Sequence, residues 1–333
     1  MSQARTDMAR WPMCAGALLV ALAAVGVWIA PKGDLERGTT LQATPTGAAA
    51  SRNADVQQAA EEPAPVLTEV LGPSACDLLL HRMPTVSQAQ CRAARLAPSG
   101  AGSGQGIPLF WRDVTPASVR QWADDDALRV LVVGAIHGDE LTAASLALRW
   151  IALAEHAGRP VHWRFIPVLN PDGLLAKPPT RVNASGVDLN RNFPTPGWAQ
   201  DAPRYWEKRT RRDPRRWPGP KPLSEPESRF LHTQMAQFQP QLIVSIHAPY
   251  GVLDFDGPQA PPARLGRLWL DQVGIFPGSL GHYGGVHRGM PVVTIELPHA
   301  LEMPQEAEIQ SMFQDLLRWM GEHWPQVDLN QRP

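Results

Sequence analysis

Residues 130–140, with the sequence VLVVGAIHGDE, join an apolar run to the start of a helical pattern. The run VLVV predicts a buried strand, and the apolar spacing that begins at Leu141 and Ala144 predicts a helix directly after it. His137 and Glu140 therefore lie where a strand gives way to a helix, three residues apart and able to face the same way. An imidazole and a carboxylate at this spacing can hold a divalent metal ion, usually zinc. The motif is weak by itself, so its interpretation depends on the rest of the chain.

The overall composition is that of a globular protein of moderate size. The 333 residues, 44% of them hydrophobic, are enough for one sizeable domain with extensions. The formal net charge of −1 gives no sign of a polyanionic partner, so nucleic-acid binding is not expected.

The N-terminal residues predict a membrane-targeting segment. Arg5 and Arg10 precede an uncharged, largely apolar run over residues 11–30, which is long enough to span a bilayer as a helix. A cleaved signal peptide is the alternative, but the run is long for one, so we expect an uncleaved anchor over residues 1–30. Residues 31–66 lack sustained periodicity and predict a disordered linker. We therefore expect an exported protein, located in the periplasm and anchored in the inner membrane.

Two cysteines lie outside the membrane segment, Cys76 and Cys91, while Cys14 lies within it. In an oxidising compartment this pair would form a disulfide that closes a loop of about fifteen residues. Two separate buried thiols are the alternative. The surrounding residues 67–98 predict a small N-terminal cap ahead of the main domain.

Predicted strands and helices alternate through the rest of the chain, which indicates an α/β fold with a largely parallel central sheet. Strands are predicted over residues 107–112, 130–136, 163–169, 241–247 and 291–298. Helices are predicted over residues 116–127, 140–156, 224–238 and 263–273, with an amphipathic helix closing the chain. A capping box formed by Ser224 and Glu227 is expected to start the third of these helices. The glycine-rich residues 99–106 do not open a helix after a strand, so they predict a link and not a phosphate-binding loop.

Two more predicted strands end in side chains that can bind a metal or a proton. His247 ends one, and Glu296 lies near the end of the last. In open α/β sheets, ligand sites gather beyond the carboxyl ends of the strands, where His137 also lies. A histidine in this position is often structural. A carboxylate inside an apolar strand is costly unless it is paired, which makes Glu296 a candidate general base.

Two polar segments lie between these strands. Residues 181–193, RVNASGVDLNRNF, combine two arginines, three asparagines and an aspartate. They suit a carboxylate or an oxyanion, although a solvated loop is the simpler explanation. Residues 204–221 are basic and broken by prolines. They predict a surface insertion, with a solvated loop as the favoured explanation and contact with an anionic polymer as the alternative.

Four motifs in order, HGDE at residues 137–140, GVDLNRNF at 186–193, SIH at 245–247 and TIEL at 294–297, resemble the zinc carboxypeptidase family. The similarity is closest to its murein peptide amidase branch and covers residues 99–333. It implies a mixed, largely parallel eight-stranded sheet flanked by helices. Together the four motifs are specific, although each alone is weak.

The resemblance also implies a role for each matching residue. His137, Glu140 and His247 would bind one zinc ion, and Glu296 would be the general base. Arg181 would polarise the scissile carbonyl, and Asn190 and Arg191 would bind a substrate carboxylate. Asp188 would orient a zinc-bound histidine, and Tyr283 would close over the substrate. The match of Tyr283 is loose, because the corresponding tyrosine of the family lies further before the general base.

Three functions are weighed on this basis. The favoured one is a zinc hydrolase that cuts an amide bond in cell-wall peptides with a free carboxylate, such as the γ-D-glutamyl–meso-diaminopimelate bond. A zinc deacylase of the aspartoacylase and succinylglutamate desuccinylase type shares part of the motifs. A peptidoglycan-binding module without catalysis would be expected to have lost a metal ligand or the base, yet all four residues are present.

Overall fold

The computed structural model of the protein describes residues 74–83, 85–115 and 127–324. The predicted membrane segment, the linker and all but the last residue of the helix predicted over 116–127 lie outside these residues. Within the described part, no helix combines the length and the apolar character needed to cross a membrane.

A seven-stranded mixed sheet forms the centre of the described residues, in the order β1-β2-β4-β3-β5-β9-β6. Its strands are β1 (Ala97–Gly102), β2 (Pro108–Val114), β3 (Leu128–Val133), β4 (Val161–Ile166), β5 (Leu242–His247), β6 (Val252–Asp256) and β9 (Val292–Glu296). The inner strands β4, β3, β5 and β9 run parallel, and the outer strands pair antiparallel. The α/β class and the mixed sheet are confirmed, whereas the described sheet has seven strands in place of the eight expected.

Seven α-helices accompany the sheet in the described residues. They are α1 (Ala75–Leu79), α2 (Gln88–Ala93), α3 (Leu141–His156), α4 (Pro171–Leu175), α5 (Trp198–Lys208), α6 (Pro226–Phe238) and α7 (Glu306–His323). A separate hairpin joins β7 (Arg264–Leu265) to β8 (Leu268–Trp269).

The central strand β3 is apolar on both faces because helices cover the sheet on both sides. Val130 and Val132 belong to a core cluster that includes residues of α3 and α7. The intervening Leu131 and Val133 belong to a second cluster that includes residues of α6. All four side chains are at most 1% exposed. This double burial explains why the strand reads as a continuous apolar run.

Three local predictions are wrong. Part of the glycine-rich link, residues 99–102, belongs to edge strand β1. The hairpin of β7 and β8 replaces the helix predicted over residues 263–273. Gly266 turns the chain between these two short strands with a φ of 58°, a backbone conformation that glycine adopts readily. The predicted capping box is absent, because α6 begins at Pro226 and the Glu227 carboxylate instead accepts the backbone N–H of Gly104 at 2.9 Å.

The N-terminal cap is held by the predicted disulfide, which joins Cys76 of α1 to Cys91 of α2. Both sulfur-bearing residues are buried, and Leu79 between them is 2% exposed. Arg82 donates hydrogen bonds from this cap to the carbonyls of Leu175 and Ala176 at the end of α4. The cap is thereby attached to the loop that leads to Arg181.

Replacing Cys76 and Cys91 together by serine should lower the free energy of unfolding. The disulfide closes a loop with a sequence separation of 15 residues, and without it the unfolded chain gains conformational entropy worth about 3 kcal/mol. Urea unfolding of the parent protein and of the double variant measures the loss of stability. Dithiothreitol should destabilise the parent protein by a similar amount and leave the double variant unchanged. Equal stability of parent and variant would contradict a stabilising disulfide.

Candidate active site

The carboxyl ends of three neighbouring parallel strands converge on one edge of the sheet. Val133 of β3 lies beside Ser245 of β5, and His247 at the end of β5 lies directly opposite Glu296 at the end of β9. Three residues, 134–136, separate the end of β3 from His137. Parallel register therefore carries the candidate groups of three distant segments into one place.

His137, Glu140 and His247 form a buried cluster of three possible metal ligands. Their ligand atoms all lie within 4.8 Å of one another, and the three residues are 2%, 5% and 3% exposed. The Nδ1 atoms of the two histidines are 3.2 Å apart, and each lies within 3.0 Å of a Glu140 oxygen. Two imidazole nitrogens and one carboxylate converging in this way fit a zinc ion, since this is a donor set found in zinc hydrolases.

The turn that carries His137 depends on tight backbone packing. Gly138 lies so close to Gly173 that a Cβ atom at residue 138 would be 2.2 Å from the Gly173 carbonyl carbon. Ala135 adopts a positive φ of 43°, which is uncommon for a residue with a side chain. Only a glycine fits at position 138, and the turn places His137 and Glu140 on the same side.

Each histidine is oriented through its second ring nitrogen. His137 Nε2 lies 3.1 Å from Asp188 Oδ1, and His247 Nε2 lies 2.9 Å from Ser245 Oγ. Asp188 is fully buried, and its other oxygen accepts Arg181 Nε at 3.1 Å. Burial opposes ionisation of Asp188, but Arg181 and His137 hold its pKa well below the usual value. Partners of this kind fix the ring position and the tautomer of a metal-binding histidine.

A cationic wall lies beside the metal-ligand cluster. Arg181, Asn190 and Arg191 all line the same cavity. Asn190 Oδ1 accepts the Leu280 N–H at 2.8 Å, which fixes the amide group. Arg191 is 4% exposed and stacks over the ring of Phe276 at 4.6 Å, and its Nε has no hydrogen-bond partner. Burial lowers the pKa of Arg191 to about 10.

Glu296 completes this side of the cavity. It is 7% exposed, and its Oε2 atom is buried without a hydrogen-bond partner. Burial raises its pKa above the usual value for a glutamate. A buried carboxylate with an unused oxygen, next to a metal-ligand cluster, is equipped to accept a proton.

Tyr283 does not reach the cavity, which contradicts the predicted contact with substrate. The residue lies in a π-helical turn over His282–His287 and is 3% exposed. Its ring stacks on Phe193 at 5.8 Å, and its hydroxyl lies 2.8 Å from His232 Nδ1. Tyr250, which is 58% exposed, lines the cavity in its place.

The basic segment over residues 204–221 is more than a solvated loop. Its first part belongs to α5, and a 3-10 turn follows over Pro214–Arg216. Arg215 forms a 2.9 Å ion pair with Asp139, the neighbour of Glu140, and Arg216 lines the cavity. The segment therefore contributes to the wall of the site.

Comparison with known proteins agrees with this geometry. A family model described as zinc carboxypeptidase matches residues 120–255. Murein peptide amidase A of Escherichia coli (strain K12) is 31% identical over 231 residues, which cover 64% of this chain and 86% of that protein. The chain belongs to the zinc carboxypeptidase family. This membership confirms the prediction of a hydrolase.

Two further proteins extend the comparison. Murein peptide amidase A of Vibrio campbellii is 33% identical over 216 residues, covering 62% of this chain and 82% of that protein. Carboxypeptidase A from Helicoverpa armigera has a similar fold, with a TM-score of 0.54 at 15% identity over 73% of this chain and 72% of that one. This zinc carboxypeptidase thus has the family fold around a donor set that fits the family metal.

Asp188→Asn should weaken zinc binding by about 10- to 100-fold, because the amide orients His137 less strongly than the carboxylate does. Competition with a chromogenic chelator measures the affinity. Asp113→Asn is the matched control, since Asp113 of β2 pairs with Arg164 of β4 and has no ion pair with the cluster. Zinc affinity equal to that of the parent protein in Asp188→Asn would contradict this role.

Proposed function

We propose that this protein hydrolyses an amide bond in cell-wall (murein) peptides outside the cytoplasm, using one zinc ion per chain. The bond between γ-D-glutamate and meso-diaminopimelate is the proposed target. The observation that carries the proposal is one cavity that combines the His137, Glu140 and His247 donor set with an unpartnered Glu296 carboxylate. The names of the bacterial relatives support the substrate class.

His137, Glu140 and His247 would hold the zinc ion, whose chemistry is to polarise a carbonyl and to lower the pKa of a water molecule. Glu296 accepts the proton of the attacking water and passes it to the nitrogen of the leaving amine. Its free Oε2 atom faces no competing donor among the described residues. The raised pKa that burial gives Glu296 improves it as a base.

The arginines bind the charged parts of the substrate in this proposal. Arg181 holds the oxygen of the scissile carbonyl as negative charge develops, and its guanidinium is kept in place by Asp188 at 3.1 Å. Asn190 and Arg191 bind the free carboxylate of the leaving residue, Arg191 through paired N–H groups.

Location outside the cytoplasm and attachment to the inner membrane are part of the same proposal. The N-terminal pattern of arginines and apolar residues supports them. The Cys76–Cys91 disulfide also supports an oxidising compartment, since disulfides are rare in the cytosol.

The two alternative functions have less support. An inactive binding module would lack a metal ligand or the base, whereas all four residues meet in one cavity. The deacylase alternative shares only part of the motifs, and the bacterial relatives carry the name of the other branch.

The test is hydrolysis of L-alanyl-γ-D-glutamyl-meso-diaminopimelate by the zinc-loaded protein and by its Glu296→Gln variant, with products identified by mass. The parent protein should release free diaminopimelate. Glu296→Gln should lower the rate by about 10²- to 10⁴-fold, because shape is kept and the proton acceptor is lost. Its zinc content should stay unchanged, since Glu296 lies outside the donor set.

Absence of cleavage by the zinc-loaded parent protein would refute the substrate. Near-normal turnover by a zinc-loaded Glu296→Gln variant would refute the assigned base.

A further inference from the structure

The basic segment over residues 204–221 adds a third arginine to the active-site cavity. Arg216 lines this cavity together with Arg181 and Arg191. Burial lowers the pKa of Arg191 to about 10, and the nearby positive charges of Arg181 and Arg216 act in the same direction. The three guanidinium groups are therefore close enough to repel one another, and an anionic ligand would relieve that repulsion.

Arg216 differs from the other two arginines in having no partner within the protein. Arg181 Nε donates to Asp188 Oδ2 at 3.1 Å, and an Arg191 amino group donates to the Asn190 carbonyl at 2.6 Å. The Arg216 guanidinium forms no ion pair and no hydrogen bond with residues 74–83, 85–115 and 127–324. The residue is nevertheless partly buried. All of its N–H donors are thus available to a ligand in the cavity.

The chain on both sides of Arg216 is attached to the site. The preceding residue, Arg215, forms a 2.9 Å ion pair with Asp139 in the turn that carries the metal ligands. The carbonyl of the following residue, Trp217, accepts the backbone N–H of Asp188 at 2.8 Å. Arg216 is therefore anchored beside the residues that hold and orient the metal-ligand cluster.

The arginine assigned to the leaving residue is anchored through a different part of the chain. Arg191 stacks over Phe276 at 4.6 Å, and its neighbour Asn190 accepts the Leu280 N–H at 2.8 Å. The carboxylate of the leaving residue accordingly has its own binding groups. Arg216 remains for an anion on the other side of the scissile bond.

The proposed substrate has an anion at that place. In γ-D-glutamyl-meso-diaminopimelate the glutamate is joined through its γ-carboxyl group, so its α-carboxylate is free and ionised near neutral pH. A peptide joined through the α-carboxyl group carries no such charge on its backbone. A guanidinium with unused N–H groups suits a carboxylate, which it can bind through paired hydrogen bonds.

We propose that Arg216 binds the free α-carboxylate of the γ-linked glutamate, on the acyl side of the scissile bond. This inference rests on the proposed function, in which that glutamate supplies the carbonyl that is attacked. Arg216 then selects the acyl residue, whereas Asn190 and Arg191 select the leaving residue.

The experiment compares two peptides with the zinc-loaded protein: L-alanyl-γ-D-glutamyl-meso-diaminopimelate, and the same peptide with the glutamate α-carboxylate converted to a carboxamide. The amide removes one negative charge and leaves the leaving residue unchanged. The parent protein should hydrolyse the carboxylate peptide with a kcat/KM at least about 10-fold higher, the lower end of what a hydrogen bond to a charged group contributes. Arg216→Gln should bring the two values within about threefold, by losing activity on the carboxylate peptide alone.

Arg209→Gln is the matched control, because Arg209 belongs to the same basic segment but is exposed and lies outside the cavity lining. It removes the same charge and should keep the full preference. Zinc content and melting temperature should match the parent protein in both variants, since the Arg216 guanidinium makes no bond that the fold would lose.

Calorimetry on the zinc-loaded Glu296→Gln variant measures binding with little turnover. The carboxylate peptide should bind about 10-fold more tightly than the amide peptide. Adding Arg216→Gln to this variant should make the two affinities equal.

Equal hydrolysis of both peptides by the parent protein would overturn the inference and leave the proposed function standing. Equal losses on both peptides in Arg216→Gln would also overturn it, since Arg216 would then act on another group. An undiminished preference in that variant has the same meaning. Hydrolysis of neither peptide would refute the proposed function, and the inference with it.

Discussion

The parallel pairing of β3, β5 and β9 is the constraint on which the site depends. Hydrogen bonding in register sets Val133 beside Ser245 and His247 opposite Glu296. A shift of one residue in a strand would turn every side chain to the other face. His247 and Glu296 are therefore positioned by the same ladder that buries the core. Helices on both faces of the sheet bury that ladder.

Around this edge, the protein buries charged groups that would be destabilising in an apolar core. Asp188 is balanced by Arg181 and His137, so its burial is supported from two sides. Glu296 Oε2 and Arg191 Nε are buried and have no hydrogen-bond partner. Unsatisfied buried atoms in one cavity are best explained by what the cavity binds.

The sequence predicted the parts of the site that end apolar strands. His137, His247 and Glu296 follow runs long enough to be recognised, and parallel strands place their ends together. Strand β6 was missed because five residues with two aspartates contain no apolar run. The alternation of VLDFD was the available signal. Asp254 and Asp256, which line the cavity, were missed with it.

Other features needed the folded chain. The position of Tyr283 was wrong because sequence does not show on which side of a π-helical turn a ring packs, and here it stacks on Phe193. The segment 263–273 has enough apolar residues for a helix, but the chain turns at Gly266 and forms a hairpin. Arg216 enters the cavity from a segment that reads as a solvated insertion.

His137, Glu140 and His247 are expected to bind one zinc ion together. X-ray absorption at the zinc edge on the purified, zinc-loaded protein tests this arrangement. We expect one zinc per chain, with nitrogen and oxygen neighbours at about 2.0–2.2 Å and no sulfur, and loss of that signal in His247→Ala. A sulfur neighbour, or an unchanged zinc signal in His247→Ala, would contradict it.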